Sequence, residues 1–564
     1  MHYTGARILI EALIEEGVDT VFGYPGGAVL FIYDELFKHK DRIRHILVSH
    51  EQHAAHAADG YARSTGKVGV CIATSGPGAT NLVTGIAAAA MDSVPLVAIT
   101  GNVSTSLLGK DSFQEVDITG ITMPIVKHNW IVKDVNEIAE VVREAFIVAQ
   151  SSRPGPVLID IPKDITSASG NPKPSPALQG RSQRLAERNK RITFTEEDIA
   201  RAAGMLAEAK RPLLYAGGGV IISQASDELR LLAEGLHAPV ALSLMGIGSI
   251  PKEHPLHTGL IGMHGTVASN KAVQRADLLV AIGARFSDRV TSSPNTFAKE
   301  AKILHFDIDP AEINKNIQAE TWVIGDIRQT LREVLARLPN PVRTEWNGEI
   351  EEWKTQIPET HKPNPPGLHP RFILEETAKR LGKTAIVATD VGQHQIWTAQ
   401  FYPFSQARSF LSSGGLGAMG YGLGAALGAR VGNPAKPVVL FTGDGSFRMN
   451  CAELATLKNY QIPVLVIIFN NHVLGMVRQW QRFFYDKRYS ESILKGPPDF
   501  VKLAQAYGLE GYSAQDEESF IAALDKASGE LACGRGAVID ACLDQDEQVL
   551  PMVPGGMPLD EQIL

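Results

Sequence analysis

The sequence predicts an α/β protein made of three doubly wound parallel-sheet domains. Short apolar runs such as "VGVCIAT", "ADLLVAIG" and "IPVLVIIFNN" recur along the chain and alternate with helical patterns. Continuous Val, Ile and Leu runs of this length are typical of strands buried on both faces, as in a parallel sheet. The chain has 564 residues, too many for one hydrophobic core, so we expect several domains.

Two stretches interrupt this alternation and predict the domain boundaries. Residues 166–192 are rich in Pro and Ser and then charged, whereas residues 338–368 are rich in Pro at both ends. Three domains of ordinary size result, at residues 1–165, 190–340 and 368–550. The final stretch, "PMVPGGMPLDEQIL", is predicted to be a mobile tail.

Composition and charge argue against several classes of protein. The net charge is −8 and no block of Lys or Arg is present, so nucleic acid is not an expected partner. The four cysteines lack CxxC spacing, which is typical of a reducing compartment and not of a zinc site. The sequence shows no membrane-spanning apolar run, and it begins with an amphipathic helix pattern in place of a signal or transit peptide. We therefore predict a cytoplasmic protein that binds neither nucleic acid nor membrane.

The segment "GLGAMG", residues 415–420, has the Gly-x-Gly-x-x-Gly spacing of a dinucleotide-binding turn. Its surroundings fit that motif poorly, because "RSFLSSG" before it is a weak buried strand and the next acid lies in a "GDGS" turn. The motif leaves open the alternative that the protein is an NAD-linked dehydrogenase, which would bind a nicotinamide cofactor.

A set of oxygen ligands follows two predicted strands of the third domain. Asp444 lies between two glycines at the end of one strand, and Asn471 follows the next strand 27 positions later. With the carbonyl of Val473, these groups form the hard oxygen set that suits Mg²⁺ and phosphate. A plain Gly-Asp-Gly turn and an Asn helix cap are the alternative interpretation. The neighbours that would admit a diphosphate are Gly443, Gly445 and Ser446.

Glu51 is the candidate acid of the first domain. It follows an apolar strand-like run and opens an alanine-rich helix pattern. A buried carboxylate needs a partner or a proton, so Glu51 either caps or ion-pairs the helix start or serves a bound group.

The combination of "GDG", "NN", Glu51, "YPGG" and "TSGPGATNLVTGIA" resembles the signature of thiamine diphosphate enzymes. The resemblance implies that Asp444 and Asn471 hold Mg²⁺ on the cofactor's diphosphate and that Glu51 activates its aminopyrimidine ring. "GLGAMG" would then be the glycine turn beside the cofactor, with Met419 under the bent thiamine. The further cofactor positions that it implies are Pro25, Gly26, Gly27, Pro77, Asn81, Gln393, His394, Gly417, Gly475 and Met476.

Segments of the middle domain indicate which family of thiamine diphosphate enzymes the sequence resembles. Its segments "LIGMHGT", "AIGARFSDRV", "HFDIDPAEI" and "GD" (325–326) are similar to the FAD-binding domain of acetohydroxyacid synthases. An ordinary Rossmann-like domain with an empty cleft is the alternative. The overall reaction of the family has no net redox step, so the flavin would be structural or vestigial. The implied flavin positions are Arg153, Gly217, Gly218, Met263, His264, Gly283, Arg285, Arg289, Asp307 and Asp326.

Two longer segments also resemble this family: residues 107–129, with Gln114, and residues 474–492, with Trp480. The implied catalytic residues are Glu51, Gln114, Lys163, Arg289 and Trp480. By the resemblance, the three domains are a pyrimidine-binding, a central FAD-type and a diphosphate-binding domain.

The family's reaction decarboxylates pyruvate and joins the two-carbon unit to pyruvate or 2-oxobutyrate, which gives 2-acetolactate or 2-aceto-2-hydroxybutyrate for branched-chain amino acid biosynthesis. The resemblance also implies a homodimer or homotetramer, because members of the family join the first and third domains from different subunits. A regulatory small subunit with an ACT domain is a further expected partner. A catabolic acetolactate synthase, another thiamine diphosphate-dependent 2-oxo acid decarboxylase and a non-catalytic flavin-binding protein remain alternatives.

Overall fold

A computed structural model describes residues 3–171, 176–189, 193–338, 346–356, 367–496 and 498–564. These residues form three six-stranded sheets in which every strand pairing is parallel, and one short two-stranded antiparallel ladder. The predicted α/β class with three parallel sheets is confirmed. The described residues include no helix long and apolar enough to cross a membrane.

The first sheet lies within residues 20–162 and has the order β3-β2-β4-β5-β7-β6. Its central strands are fully buried because "GVCIA", "LVAITGN" and "PVLIDIP" expose no side chain on either face. The strands are β1 (Tyr3–Thr4), β2 (Thr20–Tyr24), β3 (Arg44–Leu47), β4 (Gly69–Ala73), β5 (Leu96–Asn102), β6 (Asn129–Ile131), β7 (Pro156–Pro162) and β8 (Ser169–Gly170). The helices are α1 (Gly5–Glu15), α2 (Leu30–Lys38), α3 (Glu51–Thr65), α4 (Pro77–Asn81), α5 (Val83–Met91), α6 (Ile118–Thr122), α7 (Ile138–Gln150), α8 (Lys163–Ser167) and α9 (Pro176–Asn189).

The middle sheet has the order β11-β10-β9-β12-β13-β14, so the direction of winding reverses between β9 and β12. The strands are β9 (Pro212–Ala216), β10 (Val240–Leu242), β11 (His257–Leu260), β12 (Leu278–Ile282), β13 (Lys302–Asp307) and β14 (Thr321–Ile324). The helices are α10 (Glu196–Glu208), α11 (Gly218–Ile222), α12 (Ser226–Leu236), α13 (Val267–Arg275), α14 (Asp288–Thr291), α15 (Ile327–Leu335) and α16 (Trp346–Lys354).

The third sheet has the order β16-β15-β17-β18-β20-β19. The strands are β15 (Ile386–Thr389), β16 (Phe410–Leu411), β17 (Val438–Gly443), β18 (Leu465–Asn470), β19 (Glu510–Ala514) and β20 (Ala537–Cys542). The helices are α17 (Pro370–Leu381), α18 (Gln393–Phe401), α19 (Gly422–Gly432), α20 (Asp444–Phe447), α21 (Leu454–Asn459), α22 (Gly475–Phe484), α23 (Phe500–Ala506) and α24 (Glu517–Ala532).

The predicted linkers contain helices. Helix α9 lies in the stretch 166–192, and α16, with Trp346 buried, lies in the stretch 338–368. The rest of the second stretch is partly outside the described residues. The three sheets lie inside the predicted domains, whose limits stay a prediction.

The tail prediction is wrong. Residues 551–564 pack on the middle domain, where Val553 and Leu559 are fully buried in its apolar cluster. The Val553 backbone N–H donates to the Met263 carbonyl at 2.8 Å. Burial of its apolar side chains holds this segment in place, although its Pro and Gly content is typical of a loop.

Domains one and three share one hydrophobic core across the crossing of α3 with α19. The shared cluster contains residues of both domains, among them Ala57 and Leu440. A Cβ at Gly428 would overlap the carbonyl oxygen of Ala57, and one at Gly60 would overlap that of Ala425. Glycine at these positions therefore lets the two helix backbones approach closely.

We expect Gly428→Ala to destabilise the protein, because the added methyl group meets backbone that cannot move aside. Overpacking of this kind costs about 1–3 kcal/mol. Gly235→Ala in α12 is the matched control, since a Cβ there meets nothing within 4 Å. Urea unfolding should show the loss for Gly428→Ala alone. Equal stability of the two variants would contradict the close approach.

Candidate active site

Asp444 lies at the carboxyl end of β17, beside the neighbouring strand β18. Its side chain is buried, and the nearby backbone N–H groups of Gly445 and His472 favour its ionised form. Its Oδ2 atom has no hydrogen-bond partner among the described residues. Burial raises the pKa of Asp444 to about 7. A buried carboxylate oxygen without a donor is a position where a cation would be stabilised.

The turn after β18 meets the Asp444 carboxylate. Asn471 is buried, its Nδ2 donates to Gln393 Oε1 at 3.2 Å, and its Oδ1 accepts from the Val473 N–H at 3.3 Å. His472 lies between Asn471 and Val473, and its backbone N–H is close enough to Asp444 to favour the ionised form of that carboxylate. The structure therefore brings together the residues predicted to bind magnesium.

Polar groups of α18 line the same edge of the sheet. His394 is buried against Gly443, its Nε2 atom lacks a hydrogen-bond partner among the described residues, and burial lowers its pKa to about 3. A neutral imidazole with one free nitrogen can still make a hydrogen bond to a ligand. Ser446 donates its hydroxyl hydrogen to the Val391 carbonyl at 3.0 Å.

The backbone of the "GLGAMG" turn is held by two carboxylates. The N–H groups of Gly414 and Gly415 donate to Asp92 at 3.0 and 2.7 Å. The N–H of Gly420 donates to Asp390 at 2.7 Å. Because these donors are already used, they cannot hold the pyrophosphate of a dinucleotide, which argues against the NAD interpretation.

Met419 extends from this turn toward the GDG segment. The side chain is half-buried, and its Cε atom would lie 3.9 Å from a Cβ at Gly445. Gly417 has φ +70 and is exposed in the middle of the turn. Both positions are compatible with the predicted contact to the cofactor.

Glu51 is the first residue of α3 and is buried. Its Oε2 atom accepts a hydrogen bond from Asn81 Nδ2 at 2.9 Å. The N-cap of α3 is His50, whose Nδ1 accepts from the Gln52 N–H at 3.2 Å, so Glu51 does not cap this helix. Its carboxylate is thus available for another role.

Other predicted residues of the first domain surround the turn after β4. The Pro25–Gly27 turn lies on this side, because a Cβ at Gly26 would be 2.5 Å from Thr74. Gln114, with φ +59, packs its backbone against Gly76, the residue before Pro77. Lys163 opens α8 at the end of β7 and is half-buried.

The start of α3 contacts the third domain at Glu453, which accepts from the Ser49 N–H at 2.9 Å and lies 2.9 Å from His53 Nδ1. Among the described residues, no hydrogen bond or ion pair joins Glu51 to Asp444.

Glycines of the middle domain lie where the strand order reverses. The Gly217 N–H donates to the Ile282 carbonyl, and the Gly219 N–H donates to the Gly283 carbonyl, each at 3.0 Å. A Cβ at Gly217 would overlap Gly283, so the two loops are in close contact. A crevice at such a reversal is a usual ligand site in parallel sheets.

Predicted flavin residues follow β11 and β12 at the same edge of the sheet. Arg289 is largely exposed, and its Nη1 atom lies 3.6 Å from Met263 Sδ. His264 Nδ1 lies 3.1 Å from the carbonyl of Pro551, and burial lowers the pKa of His264 to about 4. The C-terminal segment therefore contacts the side of the domain that carries these residues. Gly218, the first residue of α11, and the half-buried Arg285 complete the group.

Three predicted flavin residues have structural partners as well. Arg153 is ion-paired with Glu312 at 2.7 Å. Asp326 is the N-cap of α15, and Asp307 accepts a hydrogen bond from the Asp309 N–H at 2.9 Å. Their roles toward a flavin stay predictions.

Comparison with known proteins identifies the class. Residues 3–121 match the thiamine pyrophosphate enzyme N-terminal TPP binding domain, residues 199–334 the central domain, and residues 390–541 the C-terminal TPP binding domain. With three parallel sheets in this order, the fold and these matches define a thiamine diphosphate enzyme.

Similar proteins from three organisms identify the family within this class. The chain is 47% identical to the acetolactate synthase large subunit of Parasynechococcus marenigrum over 98% of this chain and 90% of that protein. It is 47% identical to the acetolactate synthase large subunit of Corynebacterium glutamicum, over 98% and 89%. The probable acetolactate synthase large subunit of Methanocaldococcus jannaschii is also 47% identical, over 98% and 94%. The chain belongs to the acetolactate synthase large-subunit family, as its sequence motifs predict.

Proposed function

We propose that this chain decarboxylates pyruvate and transfers the two-carbon unit to a second 2-oxo acid. With pyruvate as acceptor the product is 2-acetolactate, and with 2-oxobutyrate it is 2-aceto-2-hydroxybutyrate, both precursors of branched-chain amino acids. The observation that carries the proposal is the buried, partly unpaired Asp444 carboxylate beside the Asn471 turn. Similarity to acetolactate synthase large subunits along nearly the whole chain supports the same reaction.

Thiamine diphosphate, when bound, supplies a nucleophilic carbon and the electron sink for loss of CO₂ from a 2-oxo acid. The described residues fit this cofactor, because Asp444 Oδ2 and His394 Nε2 are buried polar atoms without partners at one sheet edge. Asp444, Asn471 Oδ1 and the Val473 carbonyl would hold Mg²⁺, and Mg²⁺ would hold the diphosphate. Glu51 would hold a proton on the aminopyrimidine ring, with Asn81 fixing the orientation of its carboxylate.

We also propose that FAD occupies the crevice between β9 and β12, without a redox step. The reversal of strand order and the close glycines support this proposal. Arg285 and Arg289 would face its phosphates or ring.

A complete site requires a second copy of the chain. In this proposal Glu51 of one protomer acts with Asp444 of its partner, in a homodimer or homotetramer. Apolar side chains exposed near the predicted cofactor turns support such an interface; they include Tyr24, Leu30, Phe31, Leu416 and Met449. The term "large subunit" in the names of the relatives supports a regulatory small subunit as a further partner. We propose a cytoplasmic location for the assembly.

The direct test is an assay with pyruvate in which thiamine diphosphate, Mg²⁺ and FAD are omitted in turn. We expect acetolactate only with all three present, and a yellow purified protein. A colourless protein that releases acetaldehyde would point to a 2-oxo acid decarboxylase. Turnover of a nicotinamide cofactor without thiamine diphosphate would point to a dehydrogenase.

We expect Trp480→Leu to remove the preference for 2-oxobutyrate over pyruvate as acceptor. Trp480 is half-buried on α22 and packs edge-to-face on Phe484, with ring centroids 5.4 Å apart, so it is not a core residue. A rigid apolar surface that touches one added methylene changes a preference by roughly 10-fold or more. Competition between the two acceptors measures this change.

Phe483→Leu is the control for that experiment, because Phe483 is half-buried on the same helix and contacts Phe484. It should retain the preference of the parent enzyme. If both variants lose the preference, or neither does, Trp480 does not form the acceptor pocket.

A further inference from the structure

Gln479 is a buried amide on α22 that uses its full hydrogen-bonding capacity. Its Oε1 atom accepts from Gln393 Nε2 at 3.0 Å and from the Val549 N–H at 2.8 Å. Its Nε2 atom donates to the Val549 carbonyl at 2.9 Å and lies 3.7 Å from Met552 Sδ. A carboxamide has two lone pairs and two N–H groups, so the orientation of Gln479 is fixed.

Gln393 continues this chain of amides to Asn471. Its Nε2 atom donates to Gln479 and also to the Glu547 carbonyl at 2.8 Å, so both of its hydrogens are used. Its Oε1 atom therefore faces Asn471 and accepts from Nδ2 at 3.2 Å. This bond turns Asn471 Oδ1 toward the Val473 N–H, on the side of the metal-binding turn.

Gly475 holds the beginning of α22 against the same two amides. A Cβ at this position would overlap Gln393 Oε1 and would lie 2.9 Å from Asn471 Nδ2. Residues 475 and 479 are four apart on the helix and so lie on one face. Helix α22 thus contacts the amide chain at two points.

We propose that Gln479 is a positioning residue that fixes, through Gln393, which end of the Asn471 carboxamide faces the metal. The inference rests on the proposed function, in which Asn471 Oδ1 is a Mg²⁺ ligand. A reversed amide would present its N–H groups to the cation and would repel it. Groups that orient a metal ligand from outside typically change metal affinity by about 10–100-fold.

The test replaces Gln479 by Met, which has a similar length and no strong acceptor. Arg478→Met is the matched control. Arg478 is also buried on the same helix and donates to Asp546 at 3.0 Å, close to the segment that Gln479 holds. Among the described residues it makes no bond to Gln393. The full-length chain is titrated with Mn²⁺ in place of Mg²⁺ at saturating thiamine diphosphate, and free Mn²⁺ is read from its electron paramagnetic resonance signal.

Gln479→Met should raise the Kd for Mn²⁺ about 10-fold or more, whereas Arg478→Met should leave it unchanged. Equal Kd values for Gln479→Met and the parent protein, or equal losses in both variants, would overturn the inference. If Gln479→Met does not fold, Gln479→Asn, which withdraws the amide by one methylene, is judged by the same criterion. Failure of the parent protein to bind Mn²⁺ with thiamine diphosphate would instead refute the proposed function.

Discussion

Glu51→Gln is expected to lower pyruvate turnover by about 100–10,000-fold, the usual contribution of general acid–base catalysis. An amide keeps the size of the side chain and a partner for Asn81, but it cannot hold a proton on the aminopyrimidine ring. Cofactor affinity should fall much less than turnover. The direct measurement is the rate of hydrogen–deuterium exchange at C2 of bound thiamine diphosphate, followed by NMR.

The matched control is Glu140→Gln, which neutralises another buried glutamate of the same domain on α7. That variant should retain the exchange rate of the parent enzyme. Normal exchange in Glu51→Gln would remove Glu51 from the proposed role.

Asp444→Ala is expected to raise the required concentrations of Mg²⁺ and thiamine diphosphate together. Loss of an outer partner of a metal ligand already costs about 10–100-fold in affinity, so loss of the anionic ligand should cost at least as much. A metal titration of cofactor binding measures the effect. Unchanged affinity for thiamine diphosphate would show that the GDG turn is not the diphosphate site.

In the metal-free protein, Asp444→Ala is expected to preserve or raise thermal stability, although it weakens metal and cofactor binding. Burial raises the pKa of Asp444 above its ordinary value, to about 7. A carboxyl group with a raised folded-state pKa loses stability as the pH rises from the ordinary value through 7, because the buried group must then carry its charge. At pH 8 and without Mg²⁺, Asp444→Ala should therefore melt no lower than the parent protein.

Features that depend on neighbouring residues in the sequence could be predicted. Buried parallel strands follow from continuous apolar runs, and Asp444 and Asn471 could be paired because residues at the ends of adjacent parallel strands meet. Asp390 ends the run "AIVATD" and could have been found by the same rule.

Features that depend on distant partners could not be predicted. The hydrogen bonds that the Gly414 and Gly415 N–H groups donate to Asp92 join residues more than 300 positions apart, and nothing in either local pattern indicates the other. Local patterns likewise do not indicate the contact of Gln479 with Val549, 70 positions away, or that of the C-terminal segment with Met263. Composition also failed to predict α9, because this helix lies in a Pro- and Ser-rich stretch that is typical of a linker.

The shared core of the first and third domains has a consequence for synthesis on the ribosome. Helix α3 is buried along most of its length, and its partner α19 begins about 350 residues later. At about 5–20 residues per second, the nascent chain carries α3 for roughly 20–70 s before α19 exists. The middle domain has an apolar cluster formed within residues 194–338 and can begin to fold during that interval. We therefore expect the first domain to be completed only when the third domain is made, and to offer an apolar surface to chaperones while it waits.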